Sequence, residues 1–169
     1  MRLTSIEVGG ASVAAVEIQD VGPVPVEHLV GHHGPDLMAY LRPPVLSALR
    51  SEVANTIRHG HLPTVTGRAR APYRHPGKIV GIGLNYREHA RDLGESAPRD
   101  SPVCFLKADH TIIGPGEPIV IPPDIGRVTA EAELGLIMGR ECYRVGVAEA
   151  LDYVAGMVAV LDQTAEDVL

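Results

Sequence analysis

The sequence predicts a β-rich α+β fold, and three observations carry that expectation. Apolar residues alternate with period two, most clearly where Val128, Ala130, Ala132, Leu134 and Leu136 interleave with Thr129, Glu131, Glu133, Gly135 and Ile137. Short apolar runs are cut apart by 18 glycines and 14 prolines, which suits strands and loops better than a helical bundle. A helical period of four stands out once at length, in Val45, Leu49, Val53 and Ile57.

Taken in order, LTSIEV and AVEI flank Gly9-Gly10 and read as a hairpin, because two glycines supply the positive φ of a primed turn. Pro44 to His59 is the amphipathic helix, with Gly60 placed to end it. His61 to Gly77 is polar and basic, contains three prolines, and reads as a linker. Two domains are expected, residues 1–73 as a small amino-terminal α+β domain with its linker, and residues 74–169. Lys78 to Leu84 is a short strand. Its Gly81 and Gly83 invite a dinucleotide fingerprint, but Tyr86 stands where the third glycine belongs and no βαβ pattern follows. Asn85 to Asp92 is a helical turn or two stopped by Gly94, and Val103 to Lys107 is a strand. Pro118 to Ile121 is expected as a strand between turns, and Val147 to Ala155 as a short helix broken by Gly156. Met157 to Leu161 then reads as a buried central strand ending at Asp162, with a further helix starting from Thr164.

Composition narrows the function. A net charge of −6 with scattered basic residues, one Phe and no Trp gives no support to nucleic-acid binding. No apolar stretch approaches the length of a membrane span, and MRLTSIEVGG lacks the apolar core of a secretion signal, so a cytoplasmic location is expected by default. Cys104 and Cys142 lack C-x-x-C spacing and read as buried reduced thiols, not a zinc site. The histidines other than His89 read as surface residues.

Glu131 and Glu133 share one face of their strand, roughly 6 to 7 Å apart at about 3.3 Å per residue. Two carboxylates so placed need solvent or a cation. A lone E-x-E fits either an exposed face with two solvated acids or a metal site; Asp162, at the end of a later strand, could return beside the pair. Such a set of hard oxygen donors suits Mg²⁺, Mn²⁺ or Ca²⁺. His89 and Asp92 are three apart on one helical face, where the acid could orient the imidazole as a general base, although such pairs also arise incidentally.

The runs KIVGIGLNYREHARDLG, SPVCFLKADHTIIGPGEPIVIPP, AEAELGLIMGR and ALDYVAGMVAVLDQTAEDV together resemble, in order and spacing, the first half of the catalytic domain of the fumarylacetoacetate hydrolase family. The resemblance covers a little over half of the chain. It implies a mixed, rolled sheet, a small amino-terminal domain, a divalent cation (usually Mg²⁺ or Mn²⁺) and a homodimer. It places the metal-binding acids at Glu131, Glu133 and Asp162, a lid histidine at His89, and the lysine of the F-L-K motif at Lys107. Three positions depart from the family's pattern: Asp92 stands for Glu, Ala108 for Pro, and Glu166 for Arg. Family members continue well past this point, so the chain is expected to be a fragment, or one that folds only with a partner. The implied function is hydrolysis of a carbon-carbon bond in an acylpyruvate or fumarylpyruvate type of small 2-oxo acid, as in aromatic catabolism. A decarboxylase or isomerase of 2-oxo-diacids is the alternative, and a non-catalytic, partner-binding half a third.

Overall fold

The computed structural model describes residues 1–59 and 62–168. They divide into two compact units, Met1–Tyr73 with Ile113–Leu169, and Arg74–Ile112.

In the first unit, β1 (Arg2–Val8) and β2 (Ala11–Ile18) form the expected hairpin. Gly9 and Gly10 both have positive φ, +58° and +83°, as a primed two-residue turn demands. β3 (Gly22–Pro25) pairs with β2, and β4 (Arg68–Arg70) pairs with β1, giving the antiparallel order β3-β2-β1-β4. After α1 (Glu27–Val30), a 3-10 turn at Leu37–Tyr40 begins where the Asp36 carboxylate accepts a 2.8 Å hydrogen bond from Met38 N. Then α2 (Pro43–His59) brings Leu49 against Val16, Val24, Val26 and Tyr40. These five are the largest fully buried side chains, so the core sits between this sheet and α2.

Several expectations need correction here. The helical stripe buries Leu49 and half-buries Val45 and Val53, but Ile57, in the last turn, is exposed. Gly60, expected to end the helix, lies outside the described residues, as does His61. The linker is not wholly irregular, since Arg68–Arg70 is an edge strand of the first sheet. Its Arg70 guanidinium pairs with Glu7 and, at 2.7 Å, with Glu117, whose other oxygen accepts from Gly114 N at 2.9 Å. Pro118 to Ile121 forms no strand among the described residues: Pro118 has no N–H to donate, and the run has no partner to pair with.

β7 (Val128–Met138) pairs antiparallel with β8 (Val154–Ala165). β8 is longer than expected at both ends. Gly156 lies inside it, opposite Ile137 and beside a register irregularity at Ile137/Met138, so the segment before it is only a 3-10 stretch, Val147–Tyr153. Asp162 and Thr164 are likewise inside the strand, not at its end. Met157 to Leu161 is not buried: Met157 is 64% and Leu161 55% exposed, and Leu134 on the facing strand is 58% exposed. Each strand has one neighbour, and nothing among the described residues covers the apolar face.

In the second unit, β5 (Ile79–Gly83) pairs antiparallel with β6 (Val103–Lys107), flanking α3 (Arg87–Asp92). Gly81 lies directly opposite Phe105, whose ring occupies the space a side chain at position 81 would need. Cys104, on this open two-stranded ladder, and Cys142, in the loop after β7, are free thiols as expected, but both are exposed where burial was expected. No helix among the described residues is long and apolar enough to cross a membrane.

Candidate active site

The pairing of β7 with β8 decides which acids meet. Their register sets Glu131 directly opposite Asp162 and Glu133 opposite Val160, so the period-two rule places all three carboxylates on one face. Directly opposite residues of an antiparallel pair hold their Cβ atoms about 4.5 to 5.5 Å apart, and like charges so placed repel. This face is half-buried, in contrast to the bare apolar face behind it. Thr129, also on it, donates a long 3.4 Å hydrogen bond to Glu131 Oε1. The side chains are not drawn into a finished cage: among the described residues no group of three or more His, Cys, Asp or Glu side chains converges to hold a metal. The donor set nonetheless fits a hard divalent cation, being three carboxylates on one sheet face with no thiol or imidazole among them.

His89, Asp92 and Lys107 belong to the second unit. α3 carries His89, half-buried, and Asp92, exposed, one turn apart. Its backbone closes through Leu93 N donating to His89 O at 3.2 Å, and Gly94 follows with φ +73°. Lys107 ends β6 opposite Ile79, with its ammonium 5.8 Å from the Phe105 ring centroid. A shallow hollow of about 250 Å³ in the same unit is lined by Ile82, Gly83, Asn85, Arg99, Asp100 and Ser101 among others. Beside it Leu84 has φ +55°, a conformation costly for a bulky residue and one that recurs at functional turns. Sequence reading missed Leu84, because the neighbouring glycines drew the eye and are not the residues in the left-handed region here.

The family profile described as fumarylacetoacetate (FAA) hydrolase C-terminal matches residues 78–169. An oxaloacetate tautomerase of Caenorhabditis elegans mitochondria is 40% identical over 90 residues, 53% of this chain and 42% of its own. The crystal structure of maleylpyruvate hydrolase from Sphingobium sp. SYK-6, in complex with manganese(II) and pyruvate, superposes with TM-score 0.74 at 25% identity. That match takes in 97% of this chain and 59% of the other. A 5-carboxymethyl-2-hydroxymuconate delta-isomerase from Mycobacterium smegmatis matches with TM-score 0.61 at 27% identity over 99% of this chain and 56% of its own. The chain spans less than half the length of these curated relatives and just over half that of the solved structures. With the profile matched over more than half its residues and the fold shared along nearly all of them, the chain belongs to the fumarylacetoacetate hydrolase family.

Proposed function

We propose that the intact protein is a divalent-metal-dependent hydrolase that cleaves a carbon-carbon bond in a small 2,4-dioxo acid of acylpyruvate or fumarylpyruvate type. The observation that carries this reading is the register that sets Glu131 opposite Asp162, with Glu133 beside them. Glu131, Glu133 and Asp162 would hold the cation, Mg²⁺ or Mn²⁺, as hard oxygen ligands. When bound there, the cation would supply charge stabilisation for the 2-oxo acid product as its carbon-carbon bond breaks.

The chain's own residues do the rest. His89 takes a proton from water as that water's oxygen adds to the acyl carbonyl carbon, and Asp92 steadies the imidazole. Lys107 offsets the negative charge on the carbonyl oxygen. Collapse of the adduct breaks the adjacent carbon-carbon bond, releasing a carboxylic acid and the enolate of the 2-oxo acid, which then takes up a proton. In this reading residues 74–169 are the first part of the catalytic domain, residues 1–73 a small amino-terminal domain, and the intact protein a homodimer.

A second reading, isomerisation or decarboxylation of 2-oxo-diacids without water attack, draws support from the tautomerase and isomerase relatives and from Asp92. There a shorter acid stands three residues after His89 and reaches it less readily.

In the intact protein, Glu133→Ala should abolish Mg²⁺ and Mn²⁺ binding by titration calorimetry while leaving the far-ultraviolet circular dichroism unchanged. Unaltered affinity would sink the metal site. His89→Ala should lower acylpyruvate hydrolysis about 10² to 10⁴-fold, the usual scale for a general base. No acylpyruvate hydrolysis by the wild type, with tautomerisation or decarboxylation of a 2-oxo-diacid that His89→Ala abolishes, would instead favour the second reading.

A further inference from the structure

The β7–β8 pair is connected at one end through residues 139–153 and is open at the other, where Val128 faces Ala165. Only that pair, Thr129–Thr164 and Ala130–Gln163 separate the open end from Glu131 and Asp162. Like charges directly opposite each other in an antiparallel pair are unfavourable, and Glu131 faces Asp162 near this end. At this end the chain carries a group of bonds that holds the strands together. The Arg127 guanidinium grips the Glu166 carboxylate with two nitrogens, Nε to Oε2 at 2.9 Å and Nη2 to Oε1 at 3.2 Å. Arg127 N donates to Asp167 Oδ2 at 2.8 Å, and Glu166 N donates to Arg127 O at 2.9 Å.

We propose that Arg127, Glu166 and Asp167 form a clamp that keeps the open end of β7–β8 closed in register, and that Arg127 and Glu166 are thereby positioning residues for Glu131 and Asp162. The physical reason is the period of two. A slip of one residue would turn every side chain of β7 to the other face, and fraying from the open end would reach Glu131 and Asp162 before Glu133. A two-point Arg–carboxylate pair supplies both attraction and geometry, which a single ammonium would not. The charge of the clamp runs from Arg127 to Glu166. The part of the proposal that concerns a cation rests on the metal reading above; the strand clamp does not.

The test uses the intact protein with Arg127→Glu, Glu166→Arg and the double exchange, which swaps the charges and can restore the pair. Two quantities are read, amide hydrogen exchange across residues 128–131 and 162–165, and Mn²⁺ affinity by calorimetry. Each single variant should speed exchange in those segments about tenfold, with β1 and β2 unaffected, as a local opening would. Each should also weaken Mn²⁺ binding about fivefold, the scale of a partly exposed ion pair, and the double exchange should return both quantities toward wild type. Unchanged exchange in the single variants, or no recovery in the double, overturns the clamp. Faster exchange with unaltered Mn²⁺ affinity overturns the positioning role. If the wild type itself binds no Mn²⁺, the metal reading fails separately, and the exchange data alone decide the clamp.

Discussion

β2 and β7 each carry apolar side chains at every second position along one face, and those two faces meet opposite fates. In β2, Ala14, Val16 and Ile18 are buried because β1 and β3 pair with both edges and α2 packs Leu49 against the face. In β7, Leu134, Leu136 and Met138 are exposed because a single neighbour, β8, completes one edge and nothing among the described residues covers the apolar side. Period two identifies which face is apolar. Burial is decided by whether another layer arrives, and that is a property of partners, not of the strand.

The contrast can be broken most directly by truncating one leucine from each region. Leu49→Ala, at a fully buried site, should cost about 2 to 5 kcal/mol of unfolding free energy in denaturant titrations, whereas Leu134→Ala should stay within about 0.5 kcal/mol. An equal cost for Leu134→Ala in the intact protein would show that its face is covered there.

A smaller effect sharpens the polar side of the same strand. Without a cation, Glu131→Gln removes one of two facing charges and should raise stability by about 0.2 to 1 kcal/mol in chelator-treated samples. A loss of stability in chelator would mean that Glu131 is held by attractions stronger than its repulsion from Asp162.

The smallest expected effect belongs to the packed region. Partial burial of Tyr73 disfavours its phenolate and raises its pKa above the ordinary 10.0. Folded protein therefore holds that proton more tightly than unfolded chain. The resulting stability is fully present below pH 10 and is lost as the pH rises through the folded value. Tyr73→Phe should flatten the alkaline end of the stability profile relative to wild type. Parallel profiles for the two proteins above pH 10 would remove Tyr73 from the account.

Much of the fold was legible wherever the signal was local. The Gly9-Gly10 turn, α2, β5, α3 and β6 each announce themselves within a dozen residues through periodicity or a turn residue. β4 did not, because RAR has no apolar run and becomes a strand only by pairing with β1, about sixty residues away in the chain. Gly156 read as a breaker, yet it is accommodated inside β8 next to a register irregularity. For the candidate site, the residue types were legible and their juxtaposition was not. The E-x-E pattern puts two acids on a face, but only the β7–β8 register sets Asp162 opposite Glu131. The burial of the cysteines was misjudged: Cys104 lies on a two-stranded ladder that leaves it uncovered, and Cys142, whose surroundings read as strand-like, lies in the loop after β7.

The chain's single phenylalanine lies across a glycine, Phe105 over Gly81. The two positions divide one volume between them: the ring shields backbone that a bare glycine would leave to water, and the glycine leaves room for the ring. Neither can be read alone when sequences are compared. A side chain at 81 requires a smaller residue at 105, so the pair behaves as one two-letter position, and a variant that enlarges 81 is rescued by shrinking 105.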